Sequence, residues 1–416
     1  MALTHTNTDR TAESSQPPVE RTPATDNLLV SLASIPPEAL DAALTNLALA
    51  FRDRPDSQTI IVATPDGAHP MANSASFGSL RLLPYTPTVP PSIHLLLSGA
   101  DYLNTFKLAQ EHQATACLIL GTECHTLAPQ TIQALAAAVT NSAVDLAMPS
   151  YQLGPNEGLV NSAILYPVTR ALFGANPRFP LAIDLGLSLR MAERIATAAQ
   201  KFTATATGQD NAIIWPVAEA AAANFTIKEV EGSHRTFPQP PSADLNALLA
   251  HIAGSLFADV DSKASIWQRA RKSQPSRPIT LTQVQPETWP DVTPMLEAFR
   301  LAYTNLAEIW SLVLPPNSLL GLKRLSIMPP AAFRMPDALW TRIVFDFILA
   351  YRLRTINRGH LLGALTPLYL AWVASHIILA DSGTAPEVHI ENQAAAFEND
   401  KPYLVSRWRW PDRFNP

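Results

Sequence analysis

The chain has 416 residues, 47% of them hydrophobic, enough for a large core and for two bodies of ordinary domain size. Charged residues make up only 16%, against about 25% in an average soluble domain, and the formal net charge is -5, so the basic surplus that nucleic-acid binding requires is absent. Two cysteines, Cys117 and Cys124, are no disulfide framework and fit a reducing compartment, the cytoplasm.

Residues 1–26 are rich in Thr, Ser, Pro and Glu, carry no apolar run of the secretory type, and read as a disordered tail. Asn27–Ser34 predicts a strand. Pro37–Arg52 predicts a helix, with Leu40, Ala43, Leu44, Leu47 and Phe51 at helical spacing. Gln58–Ala63 is an apolar run of strand length that ends in the turn Thr64-Pro65-Asp66-Gly67. Strand, helix, strand in that order implies a parallel sheet with helices on its faces. His69–Pro91 is Pro-rich and reads as irregular, with a short strand at Ile93–Leu97.

A helix over Tyr102–Gln113 and a strand over Ala116–Leu120 come next. Gly121-Thr122-Glu123 stands at that strand's end, followed by a helix over Pro129–Val139 and a strand over Val144–Met148. In such sheets ligands bind beyond the carboxyl ends of the strands, which here carry Ser34, Asp66, Glu123 and Tyr151. Helices are predicted over Ala163–Phe173, Leu187–Ala199, Ala212–Asn224 and Leu245–Phe257, with a strand over Phe225–Val230. The stretch 273–292 is rich in Pro, Gln and Thr and reads as a linker between a sheet domain (27–272) and a helical one (293–416).

Beyond it, helices are predicted over Thr293–Leu312, Asp337–Thr355 and Leu361–Leu379. The C-terminal Trp408 and Trp410 are expected to pack back as an ordered tail. Residues 361–380 contain no Asp, Glu, Lys or Arg and are long enough to span a bilayer. Thr366, Pro367, Ser375 and His376 interrupt them, which favours a buried helix over peripheral membrane contact. The sequence leaves the oligomeric state open, a homo-oligomer included.

The most distinctive stretch is Val144–Arg194. Gly158-Leu159-Val160-Asn161-Ser162, then Tyr166-Pro167-Val168-Thr169-Arg170-Ala171-Leu172-Phe173-Gly174, then Asp184-Leu185-Gly186, resemble blocks of the GT-A-fold retaining glycosyltransferases related to mannosylglycerate synthase and glucosyl-3-phosphoglycerate synthase. The resemblance implies an α/β fold, Rossmann-like, with a mostly parallel sheet flanked by helices and an all-helical C-terminal domain. It also implies transfer of a hexose from a nucleotide-diphosphate sugar to a small hydroxylated acceptor such as glycerate or phosphoglycerate. Mg or Mn would offset the charge that gathers on the leaving diphosphate.

The strand-end positions Ser34, Asp66 and Glu123 are assigned to the nucleotide sugar, and the strand-end Tyr151 with Glu157, Asn161 and Arg170 to the acceptor side. Asp184 is assigned to catalysis, and Glu123 with His234 to the metal. The chain departs from the pattern at the metal-binding Asp-x-Asp, which reads Gly121-Thr122-Glu123. It departs again at the paired glycines, which read Ala182-Ile183, and at a helix start, Leu97-Ser98-Gly99-Ala100, that lacks the usual Lys. Two readings therefore stand side by side: a glycosyltransferase, or a degenerate relative that binds a nucleotide, a sugar or a partner without turnover. A structural partner of an active paralogue at a membrane surface is a third.

Overall fold

The computed structural model describes residues 26–33, 35–54, 58–65, 77–78, 80–87, 96–141, 144–205, 213–235, 244–270 and 288–411. Ser34, Asp66, nearly all of the expected tail and most of the expected linker lie outside these residues.

Among the described residues a seven-stranded sheet runs in the order β3-β2-β1-β4-β6-β5-β7. The strands are β1 (Asp26–Leu32), β2 (Gln58–Pro65), β3 (Leu80–Tyr85), β4 (Ala114–Leu120), β5 (Leu146–Gln152), β6 (Asp184–Ser188) and β7 (Ile227–His234). Between them lie α1 (Pro37–Ala50), α2 (Gly99–Glu111), α3 (Pro129–Thr140), α4 (Tyr166–Phe173), α5 (Leu189–Thr205) and α6 (Pro216–Ala222). Leu28, Leu29, Val30, Ile60, Ile61 and Val62 are wholly buried. Consecutive buried residues mean both sheet faces are covered, which is why these strands read as continuous apolar runs. The fold class is the expected one, a mostly parallel sheet flanked by helices with a helical C-terminal region.

Two strands depart from the expectation. β3 lies inside the stretch read as irregular, parallel to β2. It carries Pro84, whose missing N–H is tolerated because β3 is an edge strand. β6 runs antiparallel to both β4 and β5. That reversal puts its first residue, Asp184, level with Leu120 at the end of β4. One edge of the sheet therefore gathers the ends of β4, β5 and β7 and the start of β6.

The helical region comprises α7 (Leu245–Ser262), α8 (Ala264–Trp267), α9 (Thr293–Asn305), α10 (Ala307–Ser311), α11 (Pro316–Ser326), α12 (Asp337–Leu353), α13 (Arg358–Asp381) and α14 (Pro386–Arg409). The single helix expected over 293–312 is split at Leu306, and α11 and most of α14 were not foreseen. Trp408 is buried edge-on against Trp267, as expected of the tail, but Trp410 is 60% exposed. α13 is long and apolar enough to cross a membrane by length and composition, yet 78% of its apolar window is buried against the rest of the chain. α4, α7 and α8 share one apolar cluster with α12 and α13.

α4 is entered through a π-helical turn, Asn161–Leu165. Pro167 has no N–H, so it cannot donate to the carbonyl four residues back, that of Ala163. The indole of Trp340 on α12 takes that carbonyl at 2.8 Å. A proline in one body thus opens an acceptor that a tryptophan in the other fills. Trp340→Phe keeps the ring packing and leaves the carbonyl without its partner. Urea denaturation should show a loss of about 1–3 kcal/mol.

Asp346 on α12 is buried and accepts from Tyr403 Oη (2.7 Å) and Arg407 Nη1 (2.9 Å). Burial outweighs both bonds and lifts its carboxyl to about 7. The folded value lies above the unfolded one, so the native state binds the extra proton. This contribution is fully present below about pH 4 and lost as pH rises through about 7. The urea midpoint of Asp346→Asn should accordingly fall less than that of the unaltered chain between about pH 5 and pH 8.

Candidate functional site

The strand-end edge is built around Asp184. Its side chain is fully buried and both carboxylate oxygens are engaged. Oδ1 accepts from the Gly121 backbone N–H at 3.1 Å, and Oδ2 accepts from Tyr151 Oη at 2.8 Å. Arg235, the residue after β7, is also fully buried. It donates to Oδ2 through Nε at 2.9 Å and to Oδ1 through Nη2 at 3.3 Å. The same Nη2 donates to the Thr122 carbonyl at 2.6 Å, and Nη1 reaches Thr126 Oγ1 at 3.3 Å. Burial works against the guanidinium charge, and Asp184 more than restores it, so the Arg235 pKa rises. Burial, then the Asp184 charge, push the Tyr151 phenol far above its usual range.

Arg235 was not foreseen from the sequence, although it is the neighbour of the assigned His234. Its fixed cation binds the carbonyls of the loop that the resemblance assigns to the metal. Gly121 and Ile183 pack together beside the Asp184–Arg235 pair. A Cβ built on Gly121 would lie 3.0 Å from both Cβ and O of Ile183. A side chain at position 121 would therefore need Ile183 to give way by a few tenths of an ångström.

Glu123 sits in the left-handed region at φ 62°, a costly conformation for a residue with a side chain. Thr126 secures it, donating to the Glu123 carbonyl through N (2.9 Å) and Oγ1 (2.8 Å). Glu123 Oε2 faces His125 Nε2 at 3.5 Å, and both side chains are 29% exposed. Glu123 is thus seen beside His125, where sequence reasoning paired it with His234; the signal was the Glu-x-His spacing at a strand end. His234 is exposed at the end of β7, opposite Gln152. Among the described residues no three His, Cys, Asp or Glu side chains converge as a metal ligand set.

The helix start without the Lys is closed from within. Ser98 donates to Asp101 Oδ2 through N (2.7 Å) and Oγ (2.8 Å). The Asp101 carboxylate thus sits at the N-terminus of α2, where its charge suits the helix dipole.

Each of the four residues assigned to an acceptor has a partner within the chain. Tyr151 belongs to the Asp184 group. Glu157 is exposed and accepts from Gly154 N within its own turn, at 3.0 Å. Asn161 is buried and donates to the Arg178 carbonyl at 2.7 Å. Arg170 is buried on the side of α4 that faces α14, paired with Glu391 at 2.5 Å and Glu398 at 3.1 Å. Tyr166 Oη donates to Glu391 at 2.6 Å, and Arg178 makes two 3.0 Å bonds to Glu387. The three glutamates lie along one face of α14. The sequence block with the most specific resemblance is therefore the seam between α4 and α14.

No protein-family model matches the chain, and no curated protein does. Solved structures with a similar fold include glucosyl-3-phosphoglycerate synthase from Mycobacterium tuberculosis in complex with Mn2+, uridine diphosphate and phosphoglyceric acid. It has 13% identity and a TM-score of 0.37, and the match covers 58% of this chain and 80% of that one. The same enzyme with Mn2+, uridine-diphosphate-glucose and glycerol 3-phosphate has 14% identity and a TM-score of 0.36, over 63% of this chain and 87% of that one.

Removing Arg235 while Asp184 remains would leave a carboxylate buried without its cation. Arg235→Met should cost about 3–5 kcal/mol in chemical denaturation, and Asp184→Asn on top of it should recover a large part. Additive losses in the double-mutant cycle would show that the pair is not coupled.

Proposed function

We propose that this chain is a GT-A-type protein that binds a nucleotide sugar at the strand-end edge of its sheet and does not turn it over by the metal-assisted route. The resemblance around Tyr166–Gly174 supplies the ligand class, and the openness of such sheets beyond their strand ends supplies the place. The Asp184–Arg235 pair carries the rest. It engages both oxygens of the carboxylate assigned to catalysis and holds a permanent cation against the Gly121–Thr122 loop.

Hexosyl transfer to glycerate, phosphoglycerate or a similar small acceptor is the second reading, and one observation favours it. Glu123 Oε2 and His125 Nε2 are 3.5 Å apart and partly exposed, close enough for one Mg or Mn at ordinary ligand distances of about 2.0–2.6 Å. Such an ion, when bound, would offset charge on the departing diphosphate. The rest of its coordination would fall to phosphate oxygens and water.

Thermal unfolding of the full chain with a panel of nucleotide sugars, with and without Mn2+, separates the readings. Binding without turnover predicts a shift that needs no metal, equivalent to about 2.7 kcal/mol at a hundredfold excess over Kd. It also predicts no release of nucleoside diphosphate when phosphoglycerate is added. A shift that needs Mn2+, with diphosphate release that Glu123→Gln abolishes, would establish transfer instead. No shift with any nucleotide sugar would remove both readings.

A further inference from the structure

A cavity of about 330 Å³ lies in the helical region. It opens at the start of α11 and is lined by Pro315, Asn317, Ser318, Arg342, Tyr403 and Arg407. Four observations bear on what it would take.

The first is the start of α11. No side chain caps it, and Pro316 occupies its first turn, so the N–H groups of Asn317 and Ser318 have no partner within the helix. The second is Ser318. It is only 4% exposed, lines the cavity, and its hydroxyl makes no hydrogen bond among the described residues. The side chain is otherwise enclosed, and its oxygen is reachable from the cavity. The third is the pair of guanidiniums. Arg342 lies over the Tyr403 ring at 3.6 Å and engages Asp400 through Nε and through Nη2 (2.6 Å), leaving Nη1, while Arg407 donates to Asp346 and to Tyr403 Oη, each at 2.9 Å. The fourth is the charge balance. Asp400 and Asp346 oppose the two arginines, and burial raises both carboxyls, which favours their neutral forms.

We propose that this cavity is a binding site for a small phosphate-bearing anion, held by the α11 N-terminus, the Ser318 hydroxyl and the Arg342 guanidinium. The chemistry is that of anion recognition at helix N-termini: oriented N–H groups, a dipole favouring negative charge, and charge-assisted bonds from a planar guanidinium. The Ser318 hydroxyl and the Asn317 and Ser318 N–H groups donate to phosphate oxygens. Arg342 bonds a further oxygen with the nitrogen it does not use on Asp400. The site shares no residue with the strand-end edge, so it stands or falls independently of the nucleotide-sugar reading.

Inorganic phosphate is the probe, titrated into the full chain against chloride at matched ionic strength by calorimetry and thermal unfolding. A saturable heat and a rise in Tm are expected. Ser318→Ala removes one donor and should weaken binding several-fold. Asn317→Asp places a carboxylate in the first turn of α11, where it favours the helix but repels the anion. It should weaken phosphate binding by about tenfold or more while the Tm without phosphate stays level or rises. No saturable response, or one that both variants leave unchanged, would overturn the proposal. Because Asn317→Asp supports the fold, loss of binding in it cannot be put down to unfolding.

Discussion

A guanidinium and a carboxylate, both out of reach of water, join the ends of four strands. Arg235 follows β7, Asp184 begins β6, Tyr151 belongs to β5, and the Gly121–Thr122 backbone follows β4. Taking two charges out of water is costly, and a single ion–ion contact seldom offsets it. Here the remaining valences are filled as well, by a phenol, a backbone N–H and backbone carbonyls. The reversal of β6 makes this geometry available, since a parallel β6 would place Asp184 at the opposite edge. The sheet's single antiparallel strand and its buried ion pair are one feature seen at two scales.

The second constraint is the seam between α4 and the C-terminal helix. Arg170 and Arg178 meet Glu387, Glu391 and Glu398 there. Lys401 donates to the carbonyls of Leu172 and Ala270. Burial, partly offset by the Glu398 charge, lowers its pKa to about 8. Trp340 fills the carbonyl that Pro167 leaves open. These contacts are directional and lie within one apolar cluster, so the helices beyond residue 293 are built onto α4 and α7.

Much of the fold was legible because its strands are buried on both faces and bounded by prolines and turns. β1, β2, β4 and most helices lie within a few residues of where periodicity places them. β6 was missed because five residues with a buried Asp at their head carry no strand signal of their own; the pairing of β4 and β5 on either side makes them a strand. α14 was missed because its charges, read locally, resemble a solvated face, and only the arginines of a distant segment turn them inward. At the site, the resemblance picked out residues that matter for packing. Arg170 and Asn161 are buried and bonded, but to the chain itself. Arg235 gave no signal, since a lone arginine after a strand is ordinary until a carboxylate some fifty positions earlier comes to face it.

The close approach of Gly121 and Ile183 limits what the loop after β4 can carry. A side chain at position 121 alone would press on Ile183, and trimming Ile183 alone would open a void beside a buried ion pair. Replacing Arg235 alone would strand the charge of Asp184. Each of these single changes costs stability. The three positions therefore interlock, and substitutions there should be tolerated in combination more readily than one at a time.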